Sequence, residues 1–131
     1  MFLTGAGSGL GRGMAVEFGK LGAKLTLCDI NEKGLEETKK LMLENKAVKE
    51  ENILLVQLDV SNRNAVTEAS KKCINKFGDV DILINNAGIV QGKLISELDE
   101  NFASKSYKVN FESHLWLIRE FIEAMKKKNT G

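Results

Sequence analysis

The chain has 131 residues, of which 19 are lysine or arginine and 18 are aspartate or glutamate, giving a formal net charge of +1. This length suits one domain, and the balanced charge gives no electrostatic reason to expect nucleic acid or an anionic membrane as a partner. No apolar run approaches the ~18 residues of a membrane span, so we expect a cytoplasmic chain without a membrane anchor. The two cysteines, Cys28 and Cys73, lack metal-ligand spacing, which predicts buried, reduced thiols and no metal site.

Four short apolar segments are predicted to be strands. They are Met1–Thr4, Leu25–Cys28, Ile53–Leu58 and Val80–Ile84. Short, continuous apolar runs are typical of strands buried on both faces of a parallel sheet.

Apolar residues at helical spacing separate these strands. The first helix is predicted to bury Leu10, Met14, Phe18 and Leu21, and the second to run from about Glu32 to Asn45 with a stripe of Leu35, Leu41 and Met42. The third is predicted to be capped by Ser61 and to bury Val66, Ala69, Cys73 and Phe77; the last carries Phe111, Leu115, Ile118, Ile122 and Met125. Strands alternating with such helices predict an α/β fold with right-handed crossovers and a parallel sheet.

A glycine-rich turn joins the first strand to the first helix. Gly5, Gly7, Gly9 and Gly11 lie within the sequence TGAGSGLG. Glycine adopts positive φ and has no Cβ to hold a ligand away, so backbone amides can approach a phosphate there. The helix that follows directs its unsatisfied N–H groups and its positive dipole end to the same place. The turn therefore predicts an anion site, most simply for a pyrophosphate.

Asp29 follows the second predicted strand. A carboxylate in this position can accept hydrogen bonds from the hydroxyls of an adenosine ribose, and it repels a 2′-phosphate. Neither Ser8 nor Ile30 supplies a compensating positive charge, and Arg12 could do so only by folding back. We therefore expect NAD as the cofactor, with NADP disfavoured. The alternative is that Asp29 only caps a turn.

Together these residues resemble the short-chain dehydrogenase/reductase family. The resemblance rests on Thr4-Gly5-x-x-x-Gly9-x-Gly11, Asp29, Asp59, Asn85-Asn86-Ala87-Gly88 and Asn110, and it extends over the whole chain. The segment Val109-Asn110-x-x-x-His114-x-Trp116 is similar to a branch of epidermal retinol dehydrogenases and hydroxysteroid dehydrogenase-like proteins. The resemblance implies an incomplete Rossmann-type, doubly wound parallel sheet of order 3-2-1-4 with helices on both faces.

The resemblance also implies a role for each matched position. Gly5, Gly9 and Gly11 would form the pyrophosphate turn, with backbone amides from Ser8 and Leu10; Asp59 and Val60 would border the adenine; Asn86, Ala87 and Gly88 would lie along the adenosine ribose. The family's asparagine in the last helix, here Asn110, helps to position a water molecule in a proton relay. A polar residue that kinks a long helix is the alternative interpretation of Asn110, and the two are compatible.

The family's catalytic serine and Tyr-x-x-x-Lys pair have no counterpart in this sequence. Its one tyrosine, Tyr107, is followed four residues later by Phe111. We therefore expect residues 1–131 to form a single domain that ends before the strand carrying the catalytic serine, and to be inactive alone. The strand Val80–Ile84 would then be an open edge and the stripe from Phe111 to Met125 partly uncovered, which predicts marginal stability or a partner.

The resemblance implies an NAD(P)-dependent oxidoreductase acting on the CH–OH group of a lipophilic alcohol or ketone, such as a retinoid or steroid. The alternative is a protein without turnover that binds dinucleotide or forms a homodimer through the Asn110–Met125 helix. A methyltransferase with a glycine-rich first loop is disfavoured by the Asn-Asn-Ala-Gly motif. Relatives in this branch are often found at the endoplasmic reticulum or on lipid droplets.

Overall fold

A computed structural model describes residues 1–46 and 48–131 of the chain. Its centre is a four-stranded parallel sheet of order β3-β2-β1-β4, as the sequence predicts. The strands are β1 (Phe2–Thr4), β2 (Leu25–Asp29), β3 (Ile53–Gln57) and β4 (Leu83–Ile84). The helices are α1 (Gly9–Lys20), α2 (Glu32–Leu43), α3 (Arg63–Phe77), α4 (Glu100–Tyr107) and α5 (Ser113–Lys128), with short 3-10 turns at Glu50–Asn52 and Ile95–Glu97.

Helices cover both faces of the sheet. On one face, Leu3 and Leu27 pack with Ala15 of α1 and Leu35 of α2. On the other, Phe2 lies with its ring 5.1 Å from that of Phe121 in α5. Successive side chains of a strand point to opposite faces, so neighbouring residues of β1 enter different cores.

The fourth strand is shorter than predicted. Residues from Val80 onward were expected to be a strand, whereas only Leu83 and Ile84 pair with β1, opposite Phe2 and Leu3. β1 begins at Phe2 and has only three residues, so the residues before Leu83 have no β1 residue opposite them. The last bond on this side runs from the amide of Phe2 to the carbonyl of Ile82, at 2.9 Å. Val80 is buried, but in the core between sheet and helices rather than in the ladder.

The buried face of α1 agrees with the predicted one only in part. Met14 and Phe18 are half-buried and pack against the core, as predicted, whereas Leu10 and Leu21 are 73% and 81% exposed. The fully buried residues of the helix are Gly11, Ala15 and Gly19. A Cβ on Gly11 would overlap the carbonyl oxygen of Gly5, so the small residues let α1 approach the glycine turn closely.

The last predicted helix is divided in two by a π-turn. Residues Lys108–Glu112 form this turn between α4 and α5. Beyond it Ser113, Leu117 and Phe121 are buried, whereas Phe111, Leu115 and Ile118 are 43–50% exposed. The expected uncovered stripe is thus present at these three positions, while Ile122 and Met125 are half-buried.

Two further expectations have clear outcomes. Asn62, not Ser61, caps α3, because its side chain accepts the amide of Ala65 at 3.1 Å while the Ser61 hydroxyl donates to Asp59. Cys28 and Cys73 are buried free thiols, as predicted, and burial raises the pKa of the Cys28 thiol well above its ordinary value. Across residues 1–46 and 48–131, no helix combines the length and apolar character needed to cross a bilayer.

Candidate dinucleotide-binding cleft

A cleft of about 400 Å³ opens where the carboxyl ends of the strands meet. Ligands of open α/β sheets bind outside these ends, at the point where the strand order reverses. Every position that the resemblance assigned to cofactor binding lines this cleft: Gly5, Ser8, Gly9, Leu10, Gly11, Asp29, Asp59, Val60, Asn86, Ala87 and Gly88. Asn110 is not among the lining residues, which also include Ile30, Leu58, Ile89, Lys105 and Val109.

The glycine-rich turn is folded tightly against its neighbours. Gly5 and Gly9 have φ of 67° and 50°, in the left-handed region that favours glycine. A Cβ on Gly5 would lie 2.7 Å from the side-chain nitrogen of Asn86. The turn therefore depends on glycine for both its backbone conformation and its close packing.

The first turn of α1 faces the cleft with free amides. Ser8 is the N-cap residue, and its side chain makes no capping hydrogen bond; no acidic side chain lies in this first turn. By contrast, the N-cap side chains Asn31, Asn62 and Asp99 accept backbone amides of α2, α3 and α4. The amides and positive dipole end of α1 remain available to an anion in the cleft.

Asp29 connects the glycine turn to the start of α2. Its Oδ2 accepts the amide of Gly7 at 2.8 Å and its Oδ1 accepts the amide of Asn31 at 2.9 Å. Asp29 therefore makes the turn-capping bonds of the alternative interpretation, and its contact with a ligand remains a prediction. Each carboxylate oxygen has a second lone pair, so the same group can still accept bonds from a ligand.

Asp59 and Val60 lie at the next strand end. Oδ1 of Asp59 accepts the Ser61 amide at 2.9 Å and the Ser61 hydroxyl at 2.7 Å, which holds the carboxylate in place. Val60 is buried and belongs to the core that contains Val109. This corner of the cleft combines a fixed acceptor with an apolar wall.

Thr4 and Asn86 join the glycine turn to the Asn-Asn-Ala-Gly segment. The amides of Asn86 and Ala87 both donate to Oγ1 of Thr4 at 3.0 Å. The Asn86 side chain donates to the carbonyls of Thr4 and Gly5 at 3.0 and 3.2 Å. Apart from its place in the motif, no feature of the sequence indicates this role of Thr4.

Asn110 binds the backbone of Ile89, the residue that follows the Asn-Asn-Ala-Gly segment. Its Oδ1 accepts the amide of Ile89 at 2.9 Å, and its Nδ2 donates to the carbonyl of Ile89 at 2.8 Å and to the Ser106 hydroxyl at 3.2 Å. It lies within the π-turn, in agreement with the helix-kinking interpretation. Its role in a proton relay remains a prediction.

Arg12 anchors the turn from the side of α2, an arrangement that sequence reasoning missed. Its guanidinium donates to the carbonyl of Gly7, forms an ion pair with Glu37 at 2.8 Å and bonds the Thr38 hydroxyl at 3.1 Å. The buried Thr38 hydroxyl in turn donates to the carbonyl of Ala6 at 2.8 Å. Arg12 is thus committed to α2 and does not line the cleft.

Residues 1–46 and 48–131 contain no group of three histidine, cysteine, aspartate or glutamate side chains placed to hold a metal ion.

The fold is a parallel α/β sheet with a cleft at the carboxyl ends of its strands, and comparison with known proteins defines its family. A family model described as short chain dehydrogenase matches residues 1–131. The chain belongs to the short-chain dehydrogenase/reductase family of oxidoreductases.

Individual members of the family are similar to this chain over its whole length. Human epidermal retinol dehydrogenase 2 is 41% identical over 131 residues, which is all of this chain and 41% of that protein. Human estradiol 17-beta-dehydrogenase 11 is 39% identical over the same residues, 42% of its length. This chain therefore spans about two-fifths of the length of the curated relatives it matches.

Solved structures share the fold. Levodione reductase matches with a TM-score of 0.90 and 30% identity over 99% of this chain and 50% of its own. An alcohol dehydrogenase from the archaeon Thermococcus sibiricus, complexed with 5-hydroxy-NADP, matches with a TM-score of 0.87 and 29% identity, over 96% of this chain and 52% of its own. The sheet order and flanking helices are those of Rossmann-fold family members.

Proposed function

We propose that this chain is the NAD-binding half of an oxidoreductase that acts on the CH–OH group of a lipophilic alcohol or ketone. The observation that carries the proposal is the cleft in which the uncapped amides of α1 and the carboxylate of Asp29 face the same space. A dinucleotide presents a diphosphate and a ribose diol, which match an amide-rich helix terminus and a carboxylate.

The residues of the cleft fit such a ligand. The glycine turn and the amides near Ser8 and Leu10 would hold the diphosphate, because no Cβ or capping side chain obstructs them. Asp29 would accept the hydroxyls of the adenosine ribose, and the wall at Val60 would border the adenine. When bound, the dinucleotide supplies hydride transfer at its nicotinamide ring.

The preference for NAD rests on charge. A 2′-phosphate beside Asp29 would be repelled by up to about 4 kcal/mol at ~4 Å and an effective dielectric near 20. Arg12, which bonds Gly7 as Asp29 does, is also paired with Glu37 and directed to α2, so it does not offset this charge. The T. sibiricus alcohol dehydrogenase was solved with a derivative of NADP. The fold accepts both cofactors, and we attribute the choice between them to local charges such as that of Asp29.

The substrate class is proposed from the names of the relatives. Retinol and estradiol are both lipophilic alcohols, and the proteins named for them match the whole of this chain. Asn110 holds Ile89, which lines the cleft, and would help to position a water molecule in proton transfer.

A second candidate is a dinucleotide-binding or dimerising protein without turnover. Two observations favour it: the only tyrosine, Tyr107, is followed four residues later by Phe111 rather than lysine, and Leu115 and Ile118 form an exposed apolar face on α5. Such a face is typical of surfaces that pack on a partner, here a second copy.

Calorimetric titration of the purified chain with NAD and with NADP tests the binding proposal. We expect saturable NAD binding, with NADP binding at least tenfold weaker, about 1.4 kcal/mol. Equal or tighter binding of NADP would refute the charge argument. Incubation with NAD and a panel of long-chain alcohols, followed by absorbance of the reduced cofactor, tests the expectation that the chain alone is inactive, and turnover above a protein-free control would contradict that expectation.

A further inference from the structure

The charges that line the cleft are unevenly distributed. Asp29 and Asp59 are its acidic side chains, and Lys105 is the only basic one among the lining residues that the structure describes. The dinucleotide of the proposed function is an anion. Apart from the dipole end of α1, Lys105 is therefore the one source of positive charge facing the ligand space.

Lys105 is presented from a helix that is fixed at the cleft. It lies in the last turn of α4, one helical turn before Val109, and both residues line the cavity. Val109 is buried against the core that includes Val60, and Asn110 bonds both backbone groups of Ile89. Residues four apart lie on the same face of a helix, so these anchors hold the base of the Lys105 side chain toward the cleft.

The ammonium of Lys105 is not used inside the protein. Within residues 1–46 and 48–131 it forms no ion pair or hydrogen bond, whereas Lys39 pairs with Glu50 at 2.6 Å and Lys128 with Asp79 at 3.3 Å. An uncommitted lysine is a flexible point charge with three donors, well suited to a phosphate. Its side chain is exposed.

We propose that Lys105 is a phosphate-recognising residue of this dinucleotide site, a position that no motif in the sequence marks. The proposal rests on the proposed function and adds a specific contact to it. The phosphate charge has two sources, the diphosphate common to NAD and NADP and the 2′-phosphate of NADP alone. Comparison of these ligands with adenosine, which has neither, separates the sources from each other and from simple packing.

The test is calorimetric titration of the chain and three variants with NAD, NADP and adenosine, at low and at high salt. The variants are Lys105→Ala, Lys105→Glu and the control Lys108→Ala, which removes an exposed lysine of the same segment that does not line the cleft. Circular dichroism and thermal unfolding establish that all three variants are folded; alanine is a strong helix former, so Lys105→Ala should not disturb α4.

We expect Lys105→Ala to weaken NAD binding about three- to tenfold at low salt, Lys105→Glu to weaken it further, and Lys108→Ala to leave it unchanged. Adenosine affinity should stay the same in all variants, and the loss should shrink at high salt because exposed charges are screened. A loss confined to NADP assigns the contact to the 2′-phosphate, and a similar loss for NAD and NADP assigns it to the diphosphate.

Two results would overturn the proposal: NAD and NADP binding by Lys105→Ala equal to that of the unmodified chain, or an equal loss for adenosine. In either case the unmodified chain still binds NAD and the proposed function stands. If the unmodified chain binds none of the three ligands, the proposed function fails and this inference fails with it.

Discussion

The carboxylate of Asp29 accepts the backbone amide of Gly7 at 2.8 Å, so the acid that ends β2 also shapes the glycine turn that ends β1. A Cβ on Gly7 would lie 2.9 Å from that carboxylate. The two halves of the candidate site are therefore one structural unit. A change at Asp29 should alter both the ligand contact and the turn that binds the phosphates.

Replacement of Asp29 by asparagine separates charge from shape. Asn can accept at only one oxygen, so it loses one of the two backbone bonds, and we expect the free energy of unfolding to fall by about 1–2 kcal/mol. Loss of the charge should weaken NAD binding about tenfold and leave NADP binding equal or improved. Titration with both cofactors and urea denaturation measure these effects.

The control for this change is Asp79→Asn, which removes an exposed carboxylate outside the cleft that pairs with Lys128 at 3.3 Å. It should affect neither cofactor. An unchanged preference for NAD in Asp29→Asn would contradict the role given to this carboxylate.

The substitution Gly11→Ala tests whether α1 must approach the glycine turn closely. In Gly11→Ala the new methyl group would overlap the carbonyl oxygen of Gly5, and we expect a loss of about 1–3 kcal/mol in unfolding free energy with loss of NAD binding. Gly13, two residues on in the same helix, has open space around its Cα. Gly13→Ala should stabilise the protein by about 0.5–1 kcal/mol and leave binding intact. Similar thermal unfolding curves for the two variants would show that the packing at Gly11 is unimportant.

The substitution Thr4→Val tests how the glycine turn is joined to the Asn-Asn-Ala-Gly segment. Thr4→Val keeps the shape of a buried side chain but leaves the amides of Asn86 and Ala87 without their acceptor, so we expect a loss of about 2–4 kcal/mol and weaker NAD binding. Thr26 is as buried as Thr4, but in the part of the chain that the structure describes its hydroxyl has no hydrogen-bond partner of normal geometry. Thr26→Val should therefore cost little. Equal losses in the two variants, measured by chemical denaturation, would contradict the specific role of Thr4.

Because of the buried Cys28 thiol, we expect the free energy of unfolding to fall in alkali. Burial raises the pKa of its thiol well above the value of about 8.5 expected in the unfolded chain. Below that value the thiol is protonated in both states and its contribution is fully present. Above it only the unfolded chain ionises, so stability falls as pH rises, by up to ~1.4 kcal/mol per pH unit. Denaturation at several pH values should show a shallower decline in Cys28→Ala; parallel declines would assign the alkaline loss to other groups.

The fold class and the position of the candidate cleft could be predicted from local patterns in the sequence. Short apolar runs, intervening helical spacing and glycines between the first strand and helix are local signals, because each reports the period or turn chemistry of a few adjacent residues. They were sufficient to predict the strand order through the resemblance, and the residues that now line one cleft. The position of Asp29 at the cleft was also predictable, since the acid follows a strand directly, and its bond to the Gly7 amide is the turn-capping role given as the alternative.

Which surfaces pack together could be seen only in the folded chain. In α1, Gly11 and Ala15 are buried with Met14 and Phe18 beside them, whereas Leu10 and Leu21 are exposed. The π-turn at Asn110, its two bonds to Ile89 and the entry of Lys105 into the cleft depend on segments that are distant in sequence. The physical reason is that burial and hydrogen bonding are settled by the fit between separate segments, whereas a local pattern records only what one segment can form.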